Sequence, residues 1–555
     1  MNSYRFTSRA LLSAALLLAV FSLTACDLSG QRPTATPTPP PAAAAPYFTC
    51  SQFFDADLPP GAAGDHYLTG QAILTGPAEG IAKLFAALGA ADEGFHIVQN
   101  CTLRYSSPDQ SEKLDWQASN SGKRGATPVT SFPPDTRALS LSLLAWPQDK
   151  DTEQVISKIN GLGQKFGVYA DPNYLTGPLA DPASPCRVVD DPFEVGGSPF
   201  EVGGSPFEVG GSSSGGMGAE AAPEIFWKQW AFRQIGLAAD GSGRGDASGK
   251  GVVIGVFDTS PYQPGAAASI HDSQLDLDLT LAFPEMLNET TLDNTVAVSM
   301  PVNVADHGLF AAGLVRAVAP ASDIHLVRVL NDYGCGDLWT LNQAVNQFVG
   351  EQLAQSQSDR RPMIISLSLG VHQPKKVTDA GWPAEIVSLD ETLRHANDHG
   401  ALVVAASGND SYDSTEPLPM HWPADFTYVL GVSGSNTDGN RACYANAGDV
   451  TAPGADGISL TESLCMPRAH ECTPADADCG LGVISLATQS KTGYRFWVGT
   501  SFAAPLVSGQ AALLLGNGLD NTQAATCIQR SAAPLSSGGP SIVNIPASLD
   551  CNAGE

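Results

Sequence analysis

GVVIGVFDTSP, residues 251–261, is a run of β-branched and small apolar residues that ends in the carboxylate of Asp258. A short apolar run of this kind, bounded by glycine and proline, indicates a strand buried on both faces. Similar runs recur downstream, separated by segments with helical spacing: DIHLVRVL (323–330), PMIISLSLG (362–370), ALVVAASGN (401–409) and TYVLGVSG (427–434). This alternation predicts an α/β domain with a parallel sheet and helices on both faces.

Polar residues follow these strands at their carboxyl ends, the edge at which parallel sheets bind ligands. Asp258 ends the first strand, and Asn409 ends the fourth. Taken alone, each is equally well explained as a turn residue. A buried carboxylate is costly without a partner, however, which makes Asp258 a candidate for a paired site.

Two further segments carry residues used in nucleophilic catalysis. His307 lies in ADHGLFAAGLV (305–315), and Ser501 lies in VGTSFAAPLVSG (498–509). A lone histidine is more often structural, and Ser501 alone reads equally well as a helix N-cap. If the segments meet, His307 can remove the proton of Ser501, and Asp258 can fix the imidazole tautomer. The amide of Asn409 and the backbone N–H of Ser501 can then stabilise an oxyanion.

Together these motifs resemble those of the subtilisin-like serine proteases, the subtilases. The resemblance covers residues 225–530 and includes VRAVAPASDIHLVRVL (315–330), IISLSLG (364–370) and ANAGDVTAPG (445–454). Asp, His, Ser is also the chain order of the subtilisin triad. The resemblance implies a serine endopeptidase in which Asp258, His307 and Ser501 are catalytic and Asn409 binds the oxyanion.

The resemblance also implies how a substrate binds. Ser368, Leu369 and Gly370 would form a strand edge along which an extended peptide or protein substrate pairs through its backbone. No metal site is predicted and no cofactor is required. The segment AAGLVRAVAP (311–320) leaves no room for a calcium loop found in many relatives, while calcium elsewhere stays open and unassigned.

One departure from the family pattern concerns the residues after His307-Gly308. Leu309 and Phe310 stand where threonine and often a second histidine are usual. We therefore expect His307 to be oriented or solvated differently, with low activity as one consequence. The alternative function is a catalytically weak, protease-fold lipoprotein that acts in peptide binding or adhesion.

The N-terminus predicts export. Basic residues precede an apolar run (10–23) that is too short to span a membrane, and its end, LTAC (23–26), resembles a bacterial lipobox. Residues 1–26 are thus predicted to be a lipoprotein signal peptide with Cys26 as the lipidated residue, an ordinary cleaved signal being the alternative. This implies a membrane-anchored, extracytoplasmic protein of the cell envelope.

Charge and cysteine content agree with an external location. The 29 Lys+Arg and 57 Asp+Glu give a net charge of -28, which argues against binding nucleic acid. The chain has 11 cysteines, and those other than Cys26 are predicted to form disulfides because the chain is exported. A disulfide between Cys527 and Cys551 is a candidate for cross-linking the C-terminus. The sequence indicates no other pairing of the cysteines.

Composition divides the chain into further segments. Residues 27–49 are a Pro/Ala/Thr tether, 188–222 are a linker with three PFEVGG repeats, and 223–555 are the catalytic domain. Residues 50–187 show the order strand, helix, strand twice, which suggests a ferredoxin-like α/β sandwich.

By resemblance, residues 50–187 are the inhibitory propeptide of a subtilase. They would act as an intramolecular inhibitor whose C-terminal tail lies in the active-site cleft, and the chain would be a self-processing zymogen. Autocleavage is then expected between about Leu175 and Ala222. The alternative is an independent binding domain that stays attached.

Overall fold

The structure is a computed structural model that describes residues 47–51, 67–89, 94–104, 138–147, 149–177, 220–284, 303–371, 386–411, 414, 416–455, 473–478, 482–535 and 541–551. The signal peptide with Cys26, the tether up to residue 46 and the PFEVGG repeats lie outside these residues. In the described part, no helix combines the length and apolar character needed to cross a membrane.

Residues 47–177 form an antiparallel sheet with helices on one face. The elements are β1 (Phe48–Cys50), β2 (Tyr67–Gly76), α1 (Ala78–Leu88), β3 (His96–Arg104), β4 (Ala138–Ala145), α2 (Thr152–Gly163) and β5 (Tyr169–Gly177). The strand order is β1-β3-β4-β2-β5, and neighbouring strands are antiparallel. From β2 to β5 the element order is β-α-β-β-α-β, as in ferredoxin-like domains.

This sheet buries both of its faces. On one face, Ala72 and Leu74 pack against apolar residues of α1 and α2, such as Leu84 and Ile159. On the other face, Ile73 belongs to a core shared with later helices. The alternation follows from the two-residue period of a strand, and it makes the sheet a layer between two sets of helices.

The rest of the described chain alternates strands and helices. The strands are β6 (Val253–Asp258), β7 (Ser269–His271), β8 (Asp276–Ala282), β9 (Asp323–Arg328), β10 (Gly336–Asp337), β11 (Met363–Leu367), β12 (Gly370–Val371), β13 (Ala401–Ala406), β14 (Leu430–Ser435), β15 (Val450–Pro453), β16 (Val483–Leu486) and β17 (Tyr494–Trp497). The helices are α3 (Trp230–Gln234), α4 (His307–Val318), α5 (Leu338–Leu353), α6 (Val387–Asp398), α7 (Thr500–Gly516), α8 (Asn521–Ser531) and α9 (Ile545–Leu549).

The main sheet has the order β15-β14-β13-β11-β6-β9-β8-β7. It is parallel from β15 to β8, and β7 is antiparallel to β8. The prediction of an α/β fold with a parallel sheet is therefore confirmed. Strand β9, which follows β6 in the chain, lies on one side of β6, and the later strand β11 lies on its other side. The strand order therefore reverses at β6.

Helices cover both faces of the parallel sheet. Ile254 and Val256 of β6 belong to the core that contains α4 and α7, whereas Val253 and Phe257 belong to the core that contains α5 and α6. The strand is buried on both faces, as its uninterrupted apolar run predicts.

Two disulfides join described residues. Cys50–Cys101 links β1 to β3, and Cys527–Cys551 links α8 to the residues that follow α9. The second pairing is the one that the sequence suggested for the C-terminus, and it is confirmed.

Candidate active site

Asp258 and His307 form a buried pair at the carboxyl edge of the parallel sheet. Strand β6 ends at Asp258 and helix α4 begins at His307. The Nδ1 atom of His307 lies 2.7 Å from Oδ1 and 2.9 Å from Oδ2 of Asp258. The exposed fractions of the two side chains are 1% for His307 and 0% for Asp258. When Nδ1–H donates to the carboxylate, a neutral imidazole keeps Nε2 as an acceptor.

The start of α4 lies directly against the end of β6. A Cβ atom on Gly308 would lie 2.8 Å from the Cβ atom of Asp258 and would overlap the carbonyl oxygen of Thr259. The backbone N–H of Gly308 donates to Thr259 Oγ1 at 3.1 Å, and the backbone N–H of Thr259 donates to Asp258 Oδ1 at 2.6 Å. The glycine after His307 is therefore needed for the close approach of these two elements.

Ser501 lies in the first turn of α7, and the N-cap of this helix is Gly499. The N-cap interpretation of Ser501 is therefore wrong. Pro505 has no N–H to donate to the carbonyl four residues before it, which is that of Ser501. The hydroxyl of Ser368 donates to this carbonyl at 2.6 Å, and the hydroxyl of Ser501 donates to the carbonyl of Ser368 at 3.3 Å.

The imidazole of His307 lies next to the residue that follows Ser501. The ring centroids of His307 and Phe502 are 5.0 Å apart. Nε2 of His307 is buried and has no hydrogen-bond partner among the described residues. The imidazole thus offers a buried acceptor at the N-terminal end of α7, where the helix dipole favours developing negative charge.

Phe310, one of the two departures from the family pattern, packs against two aromatic rings that lie next to this histidine. Its ring centroid lies 4.6 Å from that of Phe502 and 5.3 Å from that of Trp497. Trp497 in turn lies 5.6 Å from His307. The imidazole thus lies against the rings of Trp497 and Phe502, while its pairing with Asp258 is kept.

Asn409 is held beside the N-terminus of α7. Its Oδ1 atom accepts hydrogen bonds from the backbone N–H of Thr500 at 3.0 Å and from Thr500 Oγ1 at 2.9 Å. The preceding Gly408 has φ of 114°, and a Cβ atom there would lie 2.5 Å from His421 Cδ2. Because Thr500 engages the oxygen of the amide, the orientation of the Asn409 amide nitrogen is fixed as well.

The segment 368–370 contacts the nucleophile candidate at one end and a strand at the other. Ser368 and Leu369 are buried, and Gly370 begins β12. Strand β12 pairs with the end of β5, with Gly370 opposite Gly177 in antiparallel register. The predicted substrate-binding edge therefore carries a strand from the N-terminal part of the same chain.

The end of β5 is paired on both sides. Thr176 lies opposite Val371 of β12 and also opposite Gly336 of β10. A Cβ atom on Gly336 would lie 2.8 Å from Thr176 Oγ1, so only glycine allows this approach. The last residues of β5 thus form the middle strand of a three-stranded arrangement.

Asp171 of β5 caps a helix of the later part of the chain. Its carboxylate accepts hydrogen bonds from the backbone N–H groups of Val387 at 3.2 Å and Ser388 at 2.7 Å. Ile386, the N-cap residue of α6, has no side chain that could do so. Burial raises the pKa of the Asp171 carboxyl to about 6, and the hydrogen bonds from α6 offset part of that rise.

Asn173 contributes to a second cap. Its Oδ1 atom accepts from the backbone N–H of Trp339 at 3.0 Å, and its Nδ2 atom donates to Asp337 Oδ1 at 3.2 Å. Asp337 is the N-cap of α5 and accepts from the backbone N–H of Thr340 at 3.1 Å. Both capping residues could be seen in the sequence as polar residues at alternate positions of a strand. The helices that they cap could not be identified, because these helices lie far away along the chain.

The described residues contain no group of three or more His, Cys, Asp and Glu side chains arranged to hold a metal ion. Helix α4 continues without interruption from His307 to Val318 before β9 begins. Residues 311–318 are therefore helical.

Comparisons with known proteins agree with this architecture. A family model described as "Subtilase family" (Peptidase_S8) matches residues 249–544, more than half of the chain. Thermitase from Thermoactinomyces vulgaris is 27% identical over 251 residues, which cover 43% of this chain and 72% of thermitase. Serine protease AprX from Bacillus subtilis (strain 168) is 26% identical over 295 residues, covering 50% of this chain and 59% of AprX.

Other matches are shorter or more distant. The minor extracellular protease Epr of Bacillus subtilis (strain 168) is 27% identical over 166 residues, covering 28% of this chain and 22% of Epr. The chain thus spans well under two thirds of the length of several curated relatives. A solved protease structure from Pseudoalteromonas arctica PAMC 21717 shares 21% identity at a TM-score of 0.43, covering 60% of this chain and 99% of that one.

Proposed function

The chain belongs to the subtilase family, and from this premise we propose that it is a serine endopeptidase acting through Asp258, His307 and Ser501. The observation that carries the proposal is the buried contact of 2.7 Å between His307 Nδ1 and Asp258 Oδ1, beside a helix whose first turn contains Ser501. Burying a carboxylate and an imidazole costs free energy of desolvation. A catalytic role would explain why the protein keeps this costly pair.

In the proposed reaction, the Ser501 oxygen attacks the substrate carbonyl while His307 Nε2 accepts the hydroxyl proton. Asp258 stabilises the imidazolium, which then gives the proton to the leaving amine. The Ser501 hydroxyl now donates to the carbonyl of Ser368, so a side-chain rotation toward His307 has to precede attack. Catalytic hydrogen bonds often tighten only when substrate is bound.

The oxyanion of the tetrahedral intermediate would be stabilised by the amide nitrogen of Asn409 and the backbone N–H of Ser501. This role is supported by the two hydrogen bonds from Thr500, which hold the Asn409 oxygen. An amide fixed in advance needs no reorganisation when charge develops, which is the source of its catalytic effect.

We also propose that the N-terminal part acts as an intramolecular inhibitor in a self-processing zymogen. The end of β5 lies on the edge that a peptide substrate would use, with Gly177 opposite Gly370. Asp171 and Asn173 supply caps to α6 and α5. A substrate cannot pair with the same edge while β5 occupies it.

The substrate class that fits this edge is an extended peptide or a flexible segment of a protein, because recognition is through backbone pairing. Export and lipid anchoring through Cys26 rest on the N-terminal sequence, and they would place the protein at the membrane of the cell envelope. The extracellular location named for Epr is in keeping with export.

The alternative, a catalytically weak binding lipoprotein, has less support. Leu309 and Phe310 were the reason to consider it, but the His307–Asp258 contact is formed in their presence. Binding alone requires neither this pair nor an unpartnered buried Nε2 atom.

Labelling with a fluorophosphonate probe tests the proposal. The full-length chain should be labelled once its N-terminal part is released, and Ser501→Ala should abolish the labelling. Ser508→Ala is the matched control, because it makes the same change in the same helix and should leave labelling intact. Equal labelling of the wild type and Ser501→Ala, or none of the released wild type, would refute the proposed nucleophile.

A further inference from the structure

The aspartate that directly precedes His307 bears on how this histidine is held, an inference that rests on the proposed function. Asp306 is the N-cap residue of α4, yet its carboxylate makes no capping hydrogen bond to that helix. The exposed fraction of Asp306 is 2%, and a carboxylate this buried needs partners. Its partners lie on a different element, the turn that joins β16 to β17.

This turn binds both carboxylate oxygens of Asp306. Thr488 Oγ1 donates to Oδ1 at 2.6 Å, and the backbone N–H of Gln489 donates to Oδ2 at 2.9 Å. Arg495 Nη2 donates to the carbonyl of Gln489 at 2.8 Å, so this residue is held on both sides. Burial lowers the pKa of the Arg495 guanidinium, and the negative charges of Asp306 and Glu220 oppose that shift. Asp306 thus belongs to a buried network of charges and hydrogen bonds.

The antiparallel hairpin of β16 and β17 also contacts α4 beyond Asp306. The hydroxyl of Ser485 in β16 donates to the carbonyl of Phe310 at 2.8 Å. A Cβ atom on Gly313 would overlap this hydroxyl oxygen, so the hairpin approaches the helix closely. The ring centroids of Trp497 in β17 and His307 are 5.6 Å apart. The hairpin therefore lies along the first two turns of α4.

The same hairpin leads directly to the nucleophile. Strand β17 ends at Trp497, and α7 begins at Thr500 with Ser501 in its first turn. Asp306 therefore connects the start of the helix that carries the base to the strand that leads to the nucleophile.

We propose that Asp306 is a positioning residue, which keeps His307 within reach of Ser501 by bonding the start of α4 to the β16–β17 hairpin. Asp258 binds the imidazole itself at Nδ1, whereas Asp306 acts through the backbone of α4. Without the two bonds to the hairpin, the start of α4 can shift relative to Ser501. A misplacement of about 1 Å in the catalytic groups can cost about 10²-fold in rate.

The test is the kcat and KM for peptide hydrolysis by Asp306→Ala. We expect kcat to fall by about 10²-fold while KM stays nearly unchanged, because the substrate-binding edge is not altered. Immobilised trypsin, removed before the assay, is used to release the N-terminal part of the wild type and of every variant. Release then does not depend on a variant's own activity.

Thr488 variants test the same bond from its other end. Thr488→Val removes one of the two bonds to Asp306 and should lower kcat by less than Asp306→Ala, whereas Thr488→Ser keeps the hydroxyl and should restore kcat. The double variant Asp306→Ala with Thr488→Val should lose no more than Asp306→Ala alone, because both changes remove the same bond. If Asp306→Ala does not fold, the comparison of Thr488→Val with Thr488→Ser decides the question.

Asp520→Ala is the matched control. Asp520 caps α8 by accepting from the backbone N–H of Gln523 at 2.8 Å, so its loss should lower stability and leave kcat unchanged. A wild-type kcat in both Asp306→Ala and Thr488→Val, or an equal loss of kcat in Asp520→Ala, would overturn the positioning role while the proposed function stands. Absence of hydrolysis and of fluorophosphonate labelling in the released wild type would instead overturn the proposed function.

Discussion

The hydroxyl of Ser368 donates a hydrogen bond of 2.6 Å to the carbonyl oxygen of Ser501. Pro505 leaves this carbonyl without its helical donor, so a residue of the substrate-binding edge supplies one. The edge and the nucleophile are thereby held in a fixed relation, although they are 133 residues apart in sequence.

Ser368→Ala should lower both stability and activity. It leaves the buried carbonyl of Ser501 without a donor, which costs about 1–3 kcal/mol of unfolding free energy. Urea unfolding of the unprocessed Ser501→Ala background, with and without the change, measures this cost. Ser368→Thr keeps the hydroxyl and should recover most of the kcat for peptide hydrolysis. Full stability and full kcat in Ser368→Ala would show that the bond has no role.

Asn409→Asp should lower kcat and leave KM nearly unchanged. The aspartate keeps an oxygen for the two bonds from Thr500, but it replaces the proposed oxyanion donor by an acceptor. We expect a loss of about 10²–10³ in kcat, the value known for the oxyanion asparagine of subtilisin.

Thr500→Val is the control for Asn409→Asp, because it removes one of the bonds to Asn409 without changing the amide. It should cost less in kcat than Asn409→Asp. A larger loss in Thr500→Val would mean that the position of Asn409, and not its donor, carries the effect.

The contribution of Asp171 to stability should fall as the pH rises from about 4 to about 6, because its buried carboxyl then has to ionise. Burial raises the pKa of this carboxyl from 3.8 to about 6, so the folded chain takes up a proton that the unfolded chain does not hold between these values. The contribution is therefore full below the unfolded pKa and is lost as the pH passes the folded pKa.

The pH dependence can be measured as the unfolding free energy of the Ser501→Ala chain across this range, with Asp171→Asn as the comparison. The asparagine cannot titrate, and it still offers one oxygen to the N-terminus of α6. The difference between the two chains should change between pH 4 and 6 and be flat above. A difference that is constant across the whole range would contradict the proposed titration.

Thr176→Val should strengthen the association of β5 with the cleft. Thr176 Oγ1 is buried and has no hydrogen-bond partner among the described residues, and valine has nearly the same shape without the hydroxyl. Removing an unsatisfied polar atom should stabilise the association by about 1–3 kcal/mol. Processed Thr176→Val should therefore show lower activity before the N-terminal part is released. Thr176→Ser keeps the hydroxyl, and it should not show this gain.

Much of the fold and several site residues could be predicted from local sequence. The apolar run before Asp258 identifies a buried strand, and its polar end identifies the edge where ligands bind. His307 begins helix α4, directly against the end of that strand. These features depend on neighbours in the sequence, which is why a pattern of a few residues is enough to find them.

Other features depend on partners that are distant in sequence. Asp171 and Asn173 look like turn residues inside a strand until α6 and α5 are placed against them. Phe310 looks like a departure that would disturb His307, whereas it packs against Phe502 and Trp497. The hydrogen bond from the Ser368 hydroxyl to the Ser501 carbonyl requires Pro505 to lie in helix α7 and the substrate-binding edge to lie next to that helix. No local sequence pattern could reveal this bond.

The most direct test of the central claim is the kcat for peptide hydrolysis by Asp258→Asn compared with the wild type. The asparagine keeps the shape of the side chain, but it cannot hold His307 in the tautomer that accepts a proton at Nε2. We predict a loss on the order of 10⁴ in kcat, as for the corresponding change in other Ser-His-Asp proteases. A kcat within about tenfold of the wild type would contradict catalysis by the Asp258, His307 and Ser501 triad, since a working triad loses far more when its aspartate is changed.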